Sequence, residues 1–124
     1  MNNKGGRCKW FDVAGFRVQG TWEYRTALAL EQQKIKWEKI TTGHTFKYIL
    51  NEKVRHYTPG FFLEDLNLYL ELKGYWWNDD KDKMIAVISQ YPSNDFCIMR
   101  YNDLIDLEQE VFSFRPIKDV KLIV

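Results

Sequence analysis

In the segment LNLYLELKG, residues 66–74, apolar side chains recur with period two. Successive side chains of a strand point to opposite faces. Leu68, Leu70 and Leu72 therefore share one side, and Tyr69, Glu71 and Lys73 share the other. An aliphatic strand face must be covered by another layer, so this run places a packed sheet at the centre of the chain. The opposite face carries a carboxylate and an ammonium one pleat apart. Alone, such a Glu-x-Lys pair describes a solvated sheet rim. It gains chemical use where other groups converge on it: the carboxylate can hold a divalent metal, and the ammonium can orient water or offset charge on a phosphate.

The rest of the chain supplies covering layers. CKWFDVAGFRV alternates around Ala14-Gly15 and predicts an N-terminal hairpin. GTWEYRTALALEQQ predicts a helix with Thr21 as N-cap and Glu23 in its first turn. IKWEKI and TFKYIL predict strands, the second turning at Asn51-Glu52-Lys53 into VRHYTP. GFFLEDLNLYLELKG gives two more, joined at Glu64-Asp65. NDDKDKMIAVISQY predicts a helix capped by Asn78 or Asp79, with Met84, Ile85 and Ile88 as its buried stripe. DFCIMRY predicts a strand, and NDLIDLEQEVF a helix capped by Asn102. The tail RPIKDVKLIV is apolar enough for a strand or a subunit contact. Set after the hairpin, the order reads α-β-β-β-α-β-α: an α/β fold with a mixed β-sheet flanked by helices, in one domain spanning residues 1–124.

Composition narrows the function classes. With 124 residues, 45% of them hydrophobic, and five Trp, seven Tyr and eight Phe, the chain can bury a core without disulfides or a structural metal. Cys8 and Cys97 lack a CxxC partner, and with His44 and His56 they make no zinc spacing. The net charge of +1 means that any polyanion-binding surface must come from uneven placement of Lys and Arg, or from doubling by symmetry. MNNKGGRCKW lacks the apolar run of a signal peptide, so a cytoplasmic location, in a bacterial host cell, is expected. NKGG is not followed by the strand and helix of a phosphate-cradling loop, and no Ser-His-Asp or Cys-His set has usable context.

In RHYTPGFFL, Pro59 leads into one strand, and the next ends in Glu71-Leu72-Lys73-Gly74. Together with VQGTWEYRTALALEQQKIKWEK upstream, this resembles the PD-(D/E)xK nuclease superfamily over about residues 10–85. The likeness is closest to the small phage and cyanobacterial homing endonucleases, and more distant to phage junction-resolving endonucleases. The resemblance implies a restriction-endonuclease-like fold and metal-dependent hydrolysis of double-stranded DNA. Glu71 matches the second metal-binding acid, Lys73 the catalytic lysine and Glu23 the helical acid. Gly60 stands where the superfamily has its Asp, so the metal site lacks its central ligand. A site with Mg²⁺, or Mn²⁺ as substitute, would therefore be weakened. A site-specific homing enzyme impaired by Gly60 is the first expectation. A junction-resolving endonuclease and a non-catalytic DNA-binding protein are the alternatives.

Candidate DNA contacts are Lys4, Arg7 and Lys9 in the basic N-terminal stretch, Arg55 before the motif, and Trp76, Trp77, Lys81 and Lys83 after it. Each has a plain reading: a solvated tail, an Arg55 pair with a nearby acid, one Trp in the core and one at a dimer contact. Asp79, Asp80 and Asp82 read as macrodipole partners at a helix start. A homodimer would present the same patch to two antiparallel strands, with a tetramer left open. VKLIV and the N-terminal hairpin are its candidate contacts.

Overall fold

Two hairpins and one mixed sheet hold the strands of the computed structural model, which describes residues 9–41 and 45–123. The first hairpin pairs β1 (Trp10–Val13) with β2 (Phe16–Gln19). Its turn has positive φ at both Ala14 and Gly15, the backbone that a two-residue hairpin loop demands. Helix α1 (Gly20–Gln32) follows at once. Gln19, not Thr21, holds its N-cap position, and the Glu23 carboxylate reaches back to accept from the Gln19 N–H at 2.8 Å. That bond satisfies the backbone N–H of the N-cap residue itself, whereas a Thr21 cap would have served donors further into the helix.

The central sheet has the order β3-β6-β7-β8, built from β3 (Trp37–Lys39), β6 (Phe61–Leu63), β7 (Leu68–Leu72) and β8 (Asp95–Met99). The first three pair antiparallel and β7 with β8 parallel, which makes the sheet mixed. The parallel pair needs a crossover, and helix α2 (Asp80–Gln90) supplies it. Helix α3 (Tyr101–Glu108) follows β8.

Five strands lie between α1 and α2, as the five runs there predict and not the three of the condensed order. The extra pair, β4 (Phe46–Leu50) and β5 (Lys53–Tyr57), pair as strands only with each other among the described residues, turning at Asn51 and Glu52, both at positive φ. Periodicity finds a strand but does not say which sheet it joins, so these two were legible as elements and not as a separate hairpin.

The sheet is covered on both faces. Phe61, Leu63, Leu68, Leu70, Cys97 and Met99 pack with Ala27 and Leu30 of α1 and Leu104 and Leu107 of α3. The intervening residues Phe62, Tyr69, Phe96 and Ile98 pack on Met84, Val87 and Ile88 of α2 and on Phe46, Tyr48 and Tyr57 of the β4–β5 hairpin. Each fully buried aliphatic side chain contributes about 1.5–3 kcal/mol. The α2 stripe therefore runs through Val87, while Ile85 is only partly buried. At α3 the Asp103 carboxylate accepts from the Arg100 N–H at 2.8 Å, so Arg100 and not Asn102 stands at the cap. The tail forms no strand among the described residues: Ile117 N–H donates to Phe96 O at 2.8 Å, Val120–Leu122 make a 3-10 turn, and Ile123 is buried beside α2. No described helix is long and apolar enough to cross a membrane.

Candidate active site at the strand ends

The antiparallel pairings bring the C-terminal ends of β3 and β7 and the N-terminal end of β6 to one edge. The parallel pairing adds the end of β8. Lys39, Gly60, Glu71 and Lys73 all lie along that edge. Lys73 N–H donates to Met99 O at 2.8 Å, which carries strand pairing one residue past Leu72 and fixes where the lysine leaves the chain.

Glu71 is aimed away from the aliphatic face, into the layer between the sheet and the β4–β5 hairpin. There it accepts a 2.6 Å hydrogen bond from the Tyr57 hydroxyl. Burial pushes its carboxyl above the usual range, against the opposing pull of Tyr57 and the ammonium groups of Lys73, Lys83 and Lys39. Burial and the neighbouring carboxylate push the Tyr57 hydroxyl well above its ordinary value, so it stays a donor.

Lys73 donates to Asp80 Oδ2 at 3.1 Å, and Lys83 lies 3.5 Å from Asp80 Oδ1. Burial acts to raise the Asp80 carboxyl, but the Trp77 N–H bond and both lysines outweigh it and hold the group below its usual value. Asp80 is thus more than a partner of the helix dipole: it orients the lysine of the Glu-x-Lys pair. Lys39 completes the edge. Its Nζ donates to Gly60 O at 3.2 Å and lies 3.5 Å from Glu23 Oε2, with the Phe61 ring beneath it at 5.7 Å.

The structure therefore sets Glu23, Gly60, Glu71 and Lys73 at one sheet edge, linked through Lys39 and Asp80. Lys39, Asp80 and Tyr57 escaped the sequence reading. Alternation in KWEK puts Lys39 on the Trp37 side, facing α1, and nothing local shows that its ammonium reaches Gly60 O. Asp80 carried a signal, three acids before a helix, which the dipole explained equally well.

Among the expected DNA contacts, Lys83 belongs to this network and Lys81 is exposed. Arg55 pairs with Asp79 at 2.5 Å, the plain alternative for it. Trp76 packs partly into the α2 side of the core, with Lys73 and Arg100 each 5.7 Å from its ring. Trp77 is 66% exposed, stacked edge-on against the equally open Tyr75 at 4.7 Å. Lys9 is exposed and its carbonyl accepts from Gly20 N–H at 2.7 Å, whereas Lys4, Arg7, Cys8 and His44 lie outside the described residues. Cys97 is a buried free thiol pushed up to about 11 by desolvation.

The donors do not fit a divalent metal as they stand. Among the described residues no three His, Cys, Asp or Glu side chains are grouped to hold one. Glu23 is taken by Gln19 and Lys39, Glu71 by Tyr57, and Asp80 by two lysines. Position 60 offers only its carbonyl, already bonded to Lys39.

The family model of phage endonuclease I matches residues 4–106. The chain belongs to that family. It is a family of DNA-cleaving hydrolases, and the Glu-x-Lys edge lies inside the matched region. Comparisons with curated proteins and with solved structures find no match.

Proposed function

We propose that this phage endonuclease I family member acts on branched DNA, as a junction-resolving endonuclease whose cleavage step is impaired. One observation carries the reading: in a chain of this family, Glu71, Lys73, Glu23 and position 60 meet at a single sheet edge. Homing specificity, the first expectation, draws no support from the family match, which favours the junction-resolving alternative. Beside the edge, the exposed Tyr75–Trp77 pair offers a stacking platform for a base unpaired at a branch point, and Lys81 offers charge for a nearby phosphate. A two-fold homodimer would present this edge to both strands of a junction.

The residues themselves bind and orient. Lys73, held by Asp80, keeps an ammonium beside Glu71, where a phosphate's charge would be offset. Mg²⁺ or Mn²⁺ would supply the activated water in an intact member, and the missing acid at Gly60 is why cleavage is weak here. The test is a gel-shift comparison, in EDTA, of a four-way junction with a linear duplex of the same strands, followed by cleavage of the junction in Mg²⁺ and Mn²⁺. Binding of the junction about tenfold tighter, or about 1.4 kcal/mol, with little cutting supports the reading. Equal affinity for both forms removes the junction specificity, and absence of binding removes DNA as the partner.

A further inference from the structure

We propose that the Lys39 ammonium is a resident cation at this edge, holding the place between Glu23 and residue 60 and shutting a divalent metal out of it. The inference rests on the reading of this edge as an endonuclease site, and concerns what the edge now binds.

Three observations carry it. First, the ammonium is placed as a cation would be: it contacts a main-chain carbonyl at 3.2 Å and a carboxylate oxygen at 3.5 Å, above an aromatic face. Its side chain is only 15% exposed and that of Glu23 25%, so this is no loose surface pair. Second, the edge balances its own charge. Lys39, Lys73 and Lys83 stand against Glu23, Glu71 and Asp80, and Glu71 feels all three ammonium groups. A divalent ion entering here meets fixed like charge and no spare carboxylate. Third, the backbone does not require glycine at position 60. Its φ is ordinary, and a Cβ built there meets only Leu70 O, at 3.4 Å. An acid would fit there, and the Lys39 ammonium already supplies the positive charge that such an acid would face.

It follows that restoring the acid alone does not restore metal binding, because the new carboxylate finds Lys39 already beside it. Mn²⁺ is the probe, its binding followed by electron paramagnetic resonance and calorimetry at neutral pH. The proteins are the chain itself, Gly60→Asp, and Gly60→Asp combined with Lys39→Met, Lys39→Gln or Lys39→Arg, each checked for folding by circular dichroism. The Met and Gln combinations are expected to bind Mn²⁺ at least about tenfold tighter than Gly60→Asp alone, while the Arg combination, which keeps the charge, is not. Tight Mn²⁺ binding by the chain itself or by Gly60→Asp overturns the proposal, as does a folded Met or Gln combination no tighter than the single variant. Using both Met and Gln keeps the test decisive if one of them fails to fold. Junction binding by the same proteins in EDTA separates the two claims. Its absence would remove the DNA reading and leave the metal result to stand or fall alone.

Discussion

The two faces of the central sheet are built from different residues and do different work. Against α1 and α3 the buried positions are mostly aliphatic: Leu30, Leu63, Leu68, Leu70, Met99, Leu104 and Leu107. Against α2 and the β4–β5 hairpin the sheet meets an aromatic layer of Phe46, Tyr48, Tyr57, Tyr69 and Phe96, with rings as close as 5.0 Å. Aliphatic side chains offer no polar atoms, so the first face is chiefly a scaffold, with the Lys39–Glu23 pair at its margin. Tyrosines present an apolar body and a polar tip, which lets the second face carry a charged group at its margin. Glu71 is the case in point: it enters the aromatic layer with the Tyr57 hydroxyl donating to it.

Substitutions on each side would break this contrast, and the scaffold should give the largest response. Phe61 is fully buried on the aliphatic face, and Phe61→Ala is expected to cost about 3–5 kcal/mol, read as a lower urea midpoint with unchanged slope. On the aromatic face Tyr57→Phe removes one hydroxyl that serves a charge. It is expected to cost about 1.5–3 kcal/mol at neutral pH by thermal unfolding, and a loss near zero would mean that Glu71 finds water instead. Gly74 tests the seam between the motif and α1. A Cβ there would lie 3.0 Å from the Trp22 ring, so Gly74→Ala should cost about 1–3 kcal/mol through displacement of that indole.

A smaller effect distinguishes the two acids of the edge. The Glu71 carboxyl is raised by burial, so its contribution to stability falls as pH rises from the ordinary carboxylate value through the raised one. Glu71→Gln should therefore be the more stable protein at neutral pH and lose less over that interval. Asp80 is lowered, so its contribution is present above the ordinary value and is lost as pH falls through the lowered one. Stability measured across an acid pH series for Glu71→Gln and Asp80→Asn should show opposite slopes of change, and parallel curves would remove the distinction. Trp77→Ala should move stability least, within about 0.5 kcal/mol, since the ring is largely exposed. Junction affinity should nonetheless drop, and an unchanged gel shift would remove the stacking platform.

Much of the fold is legible from local pattern. The alternation of Leu68, Leu70 and Leu72 marks β7, and the same period marks the strands around it, because a pleated backbone sends neighbours to opposite faces whatever it packs on. Met84 and Ile88 show their helix face for the same kind of reason. The Glu-x-Lys pair and Glu23 were also visible, and the superfamily resemblance drew the eye to Gly60. Helix starts were less so: Thr21 and Asn102 both look like caps, but Glu23 and Asp103 reach back to the backbone from within their helices.

The amino-acid order by itself determined the strands, the helices and the residue types able to act at the strand ends, since these follow from periods of two and 3.6 and from side-chain chemistry. Only the tertiary structure decided that β4 and β5 stand apart as a hairpin, that Asp80 steers Lys73, and that Lys39 reaches Gly60. The physical reason is one of distance along the chain. A contact between residues 39 and 60 depends on how β3 and β6 pair, and no local propensity encodes which strands become neighbours.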